Sequence, residues 1–243
     1  MKTKVTSALL IIGDEILSGR TMDANLNFLA KGLAEIGINL IEVRVVPDIE
    51  HEIIDALNAL RKKSDYVFTS GGIGPTHDDI TLAAVAKAMD DKLVKNQEAL
   101  EVMNVYYGGA QNVNEAREKM AWLPSRATLL DNPVSSAPGC RIENVFVMAG
   151  IPKIFQAMFQ AAKKELIGGK KTFSKEIKLL LTESIIAKDF SSLQKKYSEV
   201  TMGSYPFDGG TSLVFRSTEN DLLEQAVSEM LAKIDPSSVI KIS

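Results

Sequence analysis

Tyr66-Val67-Phe68-Thr69-Ser70-Gly71-Gly72-Ile73-Gly74-Pro75-Thr76-His77-Asp78-Asp79-Ile80-Thr81 is the stretch whose reading decides the fold. An apolar strand runs into a glycine-rich turn, and a helical pattern is expected to begin near Thr76. Gly71, Gly72 and Gly74 admit backbone conformations that side chains obstruct, so a ligand can approach the main-chain amides. With Pro75 and Thr76 at its entry, the following helix can direct free N–H groups at an anion, which makes this a phosphate-facing loop. Asp78 and Asp79 would repel a phosphate unless a cation intervened, so the site is expected to be metal-assisted, with Asp48, Asp78 and Asp79 as metal ligands. A plainer reading stands beside it: Thr76 and Asp79 have capping-box spacing, and the glycines then serve only the turn.

Working outward, Ser7 to Ile12 is a short apolar run ending at Gly13, the mark of a buried parallel strand. Asn25 to Ile36 carries Leu26, Leu29, Leu33 and Ile36 on one helical stripe, with Gly37 suited to closing it. Ile38 to Val46 reads as a strand and Glu50 to Lys62 as a helix, before Asp65 to Thr69 returns to a strand. Strand-helix alternation of this kind predicts an α/β fold of three layers around a mostly parallel sheet, with right-handed crossovers.

Asp14, Asp48 and the Gly71-to-Asp79 loop each follow one of those strands. The ends of parallel strands meet at one edge, so these acids are the candidate catalytic group: Asp48 and Asp79 as metal- or water-positioning residues, supported by Asp14. Acidic residues are also ordinary in turns, and solvation alone accounts for them equally simply. His77 is either an acid or phosphate donor or a surface histidine.

Further along, helices are expected over Asn96 to Tyr106 and Asn114 to Met120, and strands over Ala127 to Leu130 and Asn144 to Met148. Trp122 reads as core or interface packing, as do Tyr106 and Tyr107. The Asn132-to-Gly139 loop, with Ser136 and Gly139, either shapes a binding edge or simply turns the chain. Gly150-Ile151-Pro152-Lys153 opens a helix reaching about Leu166, whose first amides and Lys153 could receive a second anionic group, or whose lysine is merely solvated. Gly168-Gly169-Lys170-Lys171 marks a boundary between a domain over residues 1–168 and a small α+β domain over 169–243. In the latter, strands are expected over Lys175 to Thr182 and Thr211 to Arg216, and helices over Lys188 to Tyr197 and Asn220 to Ile234.

The chain has 243 residues, 28 basic against 31 acidic, and a formal charge of -3, which gives no general reason to expect nucleic acid or an acidic membrane as partner. One cysteine, Cys140, excludes a disulfide framework and a cysteine-cluster metal site. With no signal-cleavage pattern and no long apolar span, the cytoplasm is the expected compartment.

At Gly13-Asp14-Glu15-Ile16-Leu17-Ser18-Gly19, Asp23-Ala24-Asn25, Gly71 to Thr81, Asn132-Pro133, Ala137-Pro138-Gly139 and Gly150-Ile151-Pro152, the chain resembles the molybdopterin-binding (MoaB/Mog-like) domains, and among them the N-terminal part of the CinA-like proteins. The resemblance covers nearly the whole first domain, and the small second domain is similar to the one that follows it there. It implies a phosphorylated ligand, a molybdopterin or an adenine nucleotide, with Gly13, Ser18, Gly19, Gly71, Gly72, Gly74, Pro75, Thr76, Ser136, Gly139, Gly150 and Lys153 as its binding set. It also places Asp48 and Asp79 at functional acidic positions. Two departures are visible. Asp78 stands where the adenylylating branch looks basic, and Lys153-Ile154 follows Pro152 where CinA-like proteins usually carry an acidic residue after a serine.

From the resemblance the expected activity is divalent-metal-dependent hydrolysis of a nucleotide pyrophosphate such as ADP-ribose or FAD, using Mg, Mn or Co. Molybdopterin binding or adenylyl transfer in molybdenum-cofactor synthesis is one alternative, and a non-catalytic regulatory or assembly role is another. Nicotinamide-mononucleotide deamidation, which belongs to a separate amidohydrolase domain, is not expected. Relatives that form dimers or trimers imply a homo-oligomer.

Overall fold

In the computed structural model, which describes residues 4–135 and 137–243, the chain separates into two units, one ending at Gly169 and the other spanning Lys170–Ser243. The first contains β1 (Val5–Ile12), α1 (Asp14–Leu17), α2 (Asn25–Ala34), β2 (Ile38–Val46), α3 (Glu50–Lys63), β3 (Tyr66–Ser70), α4 (Thr81–Ala88), β4 (Leu93–Lys95), α5 (Gln97–Tyr106), α6 (Glu115–Lys119), β5 (Trp122–Pro124), β6 (Thr128–Leu130), β7 (Gly139–Ile142), β8 (Val145–Met148) and α7 (Pro152–Lys163). Six strands make one sheet in the order β2-β1-β3-β8-β7-β6, while β4 and β5 pair separately. The pairs β1–β2, β1–β3 and β3–β8 are parallel, and β8–β7 and β7–β6 are antiparallel.

The sheet's centre follows from composition. Along β1 every residue but Thr6 is buried, and the four residues of β8 are buried without alternation, as parallel strands covered on both faces require. Of the two helical layers, one includes α2 packed on α7 and the other α3 packed on α4. Phe68 stacks on Phe146 with ring centroids 5.3 Å apart, and Phe159 meets Phe68 edge-on at 6.0 Å, so α7 is keyed to the sheet through aromatic contacts. From β1 the chain steps outward to β2, then crosses back over β1 to β3. That reversal is the topological switch point, where the carboxyl ends of the strands leave a crevice.

The second unit has β9 (Phe173–Leu179), α8 (Glu183–Lys196), β10 (Thr201–Phe207), β11 (Gly210–Ser217), α9 (Asn220–Leu231) and β12 (Val239–Ile242). Its antiparallel sheet runs β10-β11-β9-β12, and its own core includes Ile177, Leu213, Phe215, Leu223 and Met230. No described helix in the chain is long and apolar enough to cross a membrane.

Three expectations are corrected. The helix after the glycine loop begins at Thr81, not near Thr76, because Asp79 closes residues 74–79 into a turn of their own. The strands β4, β5, β7, β10 and β12 were not expected, for β4 and β5 have three residues each, and β7 begins inside a Pro, Ser and Gly run. Of the two readings of Trp122, core or interface, the core one is corrected: 38% of it is exposed. Tyr106 is exposed too, while Tyr107 packs against the core with the Arg117 guanidinium 4.0 Å from its ring centroid.

Candidate functional site

The turn after β3 exists because it is glycine. Gly71 has φ +111°, and a Cβ there would lie 2.1 Å from the Ile12 carbonyl oxygen; Gly72 has φ +66°, and a Cβ would meet the Thr81 hydroxyl at 2.2 Å. Thr81 at the start of α4 staples the turn: its amide donates to the Gly72 carbonyl at 3.0 Å and its hydroxyl to the Gly71 carbonyl at 3.0 Å. Gly150, beyond β8, lies back to back with Gly71, a Cβ on it coming within 3.2 Å of the Gly71 Cα. The two strand ends approach closely because neither carries a side chain there.

Asn25, 2% exposed, ties the start of α2 to the same edge by donating its amide hydrogens to Ser70 Oγ at 2.9 Å and to the Gly150 carbonyl at 2.7 Å. Both acceptors face the amide nitrogen, so Oδ1 points elsewhere, and it has no hydrogen-bond partner among the described residues.

These ends wall a cavity of about 420 Å³. Gly71, Gly72 and Gly74 present backbone to it, Ala149, Gly150 and Pro152 enter from β8, and Glu15 and Thr21 from the segment after β1. Ile73, Met120, Ile154 and Met158 supply apolar surface. The loop from Asn132 closes the remaining side, with Ser135 and Ala137 at the cavity. Asn132 shapes that loop, its side chain accepting from the Val134 and Ser135 amides and donating to Ser135 Oγ and the Ala137 carbonyl. Ser136 lies outside the described residues.

Of the expected binding set, Gly71, Gly72, Gly74, Pro75 and Gly150 line this cavity. Gly13, Ser18 and Gly19 do not; they form the turn around α1, where Gly19 takes φ +73° and Ser18 closes the helix on the Asp14 carbonyl. Gly139 lies within β7, where a Cβ would come 2.6 Å from the Val147 carbonyl, so it is needed for strand packing. Lys153 is exposed in the first turn of α7 and does not line the cavity, and Thr76 faces the other side of its loop. Glu15 and Ser135 stand in stretches singled out above but were not named for the site, and Thr21, Met120 and Met158 carried no sequence signal for it, since only chain crossing brings them to it.

The acids separate into two groups. Asp48 Oδ2 accepts from the Asp14 amide at 3.0 Å, joining the ends of β1 and β2. Burial pushes the Asp48 carboxyl above the ordinary aspartate range; the Asp14 amide opposes this, and the charges of Asp14, Glu15 and Asp78 add to the rise. Asp79 is instead spent on its own loop. Oδ1 accepts from the Gly74 amide at 2.7 Å, and Oδ2 from the Thr76 amide at 2.8 Å and the Thr76 hydroxyl at 2.5 Å. Half of the expected capping box is thus present, but it closes a free-standing turn. The donors expected for a phosphate at Gly74 and Thr76 are taken by a carboxylate of the chain itself.

Asp78 is exposed, and His77 beside it is almost fully exposed. Among the described residues no group of three or more His, Cys, Asp or Glu side chains is arranged to hold a metal ion. The expected metal set of Asp48, Asp78 and Asp79 is not assembled as one, because Asp79 turns inward to its own backbone while Asp78 faces solvent.

Comparison with known proteins adds the following. A family model described as "Probable molybdopterin binding domain" matches residues 8–168, and one described as "FAD synthase, middle domain" matches residues 171–243. Protein PF0476 of Pyrococcus furiosus is 32% identical over 240 residues, 93% of this chain and 95% of that protein. A CinA-like protein of Kosmotoga olearia is 30% identical over 97% of this chain, which spans 58% of that longer protein. The crystal structure of the protein CinA, of unknown function, from Thermoplasma acidophilum has 33% identity and a TM-score of 0.63, covering 68% of this chain and 99% of that one.

Proposed function

We propose a ligand from one premise: the chain belongs to the family of probable molybdopterin binding domains. The ligand is a phosphorylated pterin of the molybdopterin class or a nucleotide of similar build, bound in the cavity at the carboxyl ends of β1, β3 and β8. One observation carries this reading: three strand ends converge at the switch point on a single cavity whose wall is glycine backbone from two of them. Apolar side chains at Met120, Ile154 and Met158 suit the organic part of the ligand next to its phosphate, and main chain at Gly72 and Ile73 suits the phosphate itself, the Gly71 and Gly74 amides being bonded to Met148 and Asp79. Similarity of residues 171–243 to the middle domain of FAD synthases supports keeping nucleotides in the class.

The residues present do not fit a divalent metal, since Asp79 is bonded to the Gly74 and Thr76 donors and Asp78 faces solvent. Hydrolysis of a nucleotide pyrophosphate and adenylyl transfer are activities that this site would have to perform with bound ligand and its own backbone and carboxylates. Binding is the part that the cavity supports.

Ile151→Asp tests it. Ile151 is exposed, lines the cavity and is the N-cap of α7 without a side-chain cap bond. Aspartate there adds a cap and favours the helix dipole, so stability is expected to hold or rise by about 0.5–1 kcal/mol. The same charge repels a phosphate at the cavity mouth. Calorimetric titration with a pterin monophosphate, ADP-ribose and FAD should show binding to the natural chain and a loss of about tenfold in the variant. Absence of binding by all three ligands, or binding that the variant leaves unchanged, refutes the assignment.

A further inference from the structure

We propose that a second cavity, beside Trp122, seats a planar heteroaromatic ring bearing amino groups, carried by the same ligand whose phosphate lies in the first cavity. The inference rests on the ligand reading above. It starts from the loop of residues 73–79, which is one chain thick: Ile73, Gly74, Pro75 and Asp79 line both the first cavity and a second one of about 710 Å³. A molecule bound on one side of this loop therefore reaches the other side over a single turn of chain.

The second cavity has the make-up of a ring site. Leu82 and Ala83 of α4, Leu93 of β4 and Ala116 of α6 give it apolar surface, and Trp122 supplies an aromatic wall. Tryptophan usually hides its large ring, yet this one is 38% exposed although both sequence neighbours, Ala121 and Leu123, are fully buried. Its position is fixed by the β4–β5 ladder, where it stands opposite Lys95, whose Nζ lies 5.9 Å from the ring centroid and 2.6 Å from Glu118. Lys119 donates to the Thr76 carbonyl and so ties α6 to the dividing loop.

The groups at the rim suit a ring that bears amino groups. Glu115 and Glu118 both line this cavity, and the Glu115 carboxylate makes no hydrogen bond or ion pair among the described residues. Carboxylates accept from amino groups, so Glu115 and Glu118 suit an amino-bearing ring against Trp122, while the first cavity, which also carries the carboxylates Glu15 and Asp79, takes the phosphate on its Gly72 and Ile73 main chain. Adenine and pterin rings both have that chemistry.

Trp122 is the chain's single tryptophan, so its fluorescence reports this cavity alone. The full chain is titrated with adenosine 5′-monophosphate and, separately, with ribose 5-phosphate, following both emission and heat. The expected result is saturable quenching by the nucleotide, with the same midpoint as the heat, and none by the sugar phosphate. Trp122→Leu should weaken nucleotide binding about tenfold or more and leave the sugar phosphate unchanged, because it removes base stacking on an aromatic side chain and keeps an apolar residue in the ladder. Ala116→Phe, at an exposed helical position, fills the cavity without touching the core and should act in the same direction. Nucleotide binding without quenching and unaltered in both variants overturns the ring site while leaving the first cavity's reading intact. Failure of both ligands to bind overturns the two together, and loss of both ligands' binding in Trp122→Leu, with the fold retained, overturns the division of ring from phosphate.

Discussion

Asp79→Asn replaces a carboxylate that accepts three hydrogen bonds with an amide that can accept on one oxygen only. In the structure Asp79 receives the Gly74 amide at 2.7 Å on one oxygen and the Thr76 amide at 2.8 Å and hydroxyl at 2.5 Å on the other. Asparagine keeps an acceptor for one side and turns an NH₂ donor toward N–H on the other. From the sequence alone the change retains size and possible hydrogen bonding at a helix start and is expected to harm chemistry more than folding; the three bonds of this loop add a cost in folding. Losing a charge-assisted bond in a partly exposed loop is expected to cost about 1–2 kcal/mol. For a unit of this size that lowers the melting temperature by roughly 2–8 °C. The assay is urea unfolding followed by Trp122 emission, which reports the first unit alone. Thr76→Val and the double variant complete a cycle, and because the two residues share their bonds the double loss should be smaller than the sum of the single losses. An Asp79→Asn midpoint equal to that of the natural chain, or additive single losses, would refute the assignment of Asp79 as the clamp of this turn.

Asp48→Asn should gain stability at neutral pH relative to the natural chain. The folded-state pKa of Asp48 is raised, so the folded form binds more protons than the unfolded form above pH 3.8, and stability falls as pH rises through that window; the variant should lack this slope while keeping an acceptor for the Asp14 amide. A thermal-melt series from pH 3 to 7 that runs parallel for both proteins excludes it. Gly71→Ala, forced to φ +111° with its Cβ against the Ile12 carbonyl, is expected to lose about 3 kcal/mol or more, and a near-native melting temperature would show that the turn is not as tight as described. Cys140 is fully buried with its thiol pushed up to about 12, so iodoacetamide should label it only after denaturation, as read by mass spectrometry. Millimolar Mg²⁺ added to the ligand-free chain should leave its melting temperature unchanged; a rise of several degrees would restore the metal reading.

Much of the fold was legible because its signals are local. Leu9 to Ile12 and Val145 to Met148 are unbroken apolar runs that only a doubly covered strand accommodates, and Leu29 and Leu33 keep helical spacing on a face that is buried. Gly71 and Gly72 announced a turn that no other residue could form. The element boundaries were least legible where tertiary contacts set them: Thr81, not Thr76, starts α4 because its amide and hydroxyl staple the glycine carbonyls, a contact that appears only once the loop has folded back.

By itself, then, the sequence determined an α/β first unit, the glycine turn at its edge and the acids that follow its strands, since periodicity and backbone permission act between near neighbours. Only the tertiary structure decided what those acids do. Asp48 is bound to the Asp14 amide across 34 positions, a partner that no local spacing announces, whereas Asp79 closes its own loop, one of the two readings that its spacing from Thr76 left open. Likewise Met120, Ser135 and Met158 reach one cavity from three segments, and Trp122 stands half-exposed between buried neighbours, because the crossing of the chain at the switch point, not any local pattern, sets which side chains meet.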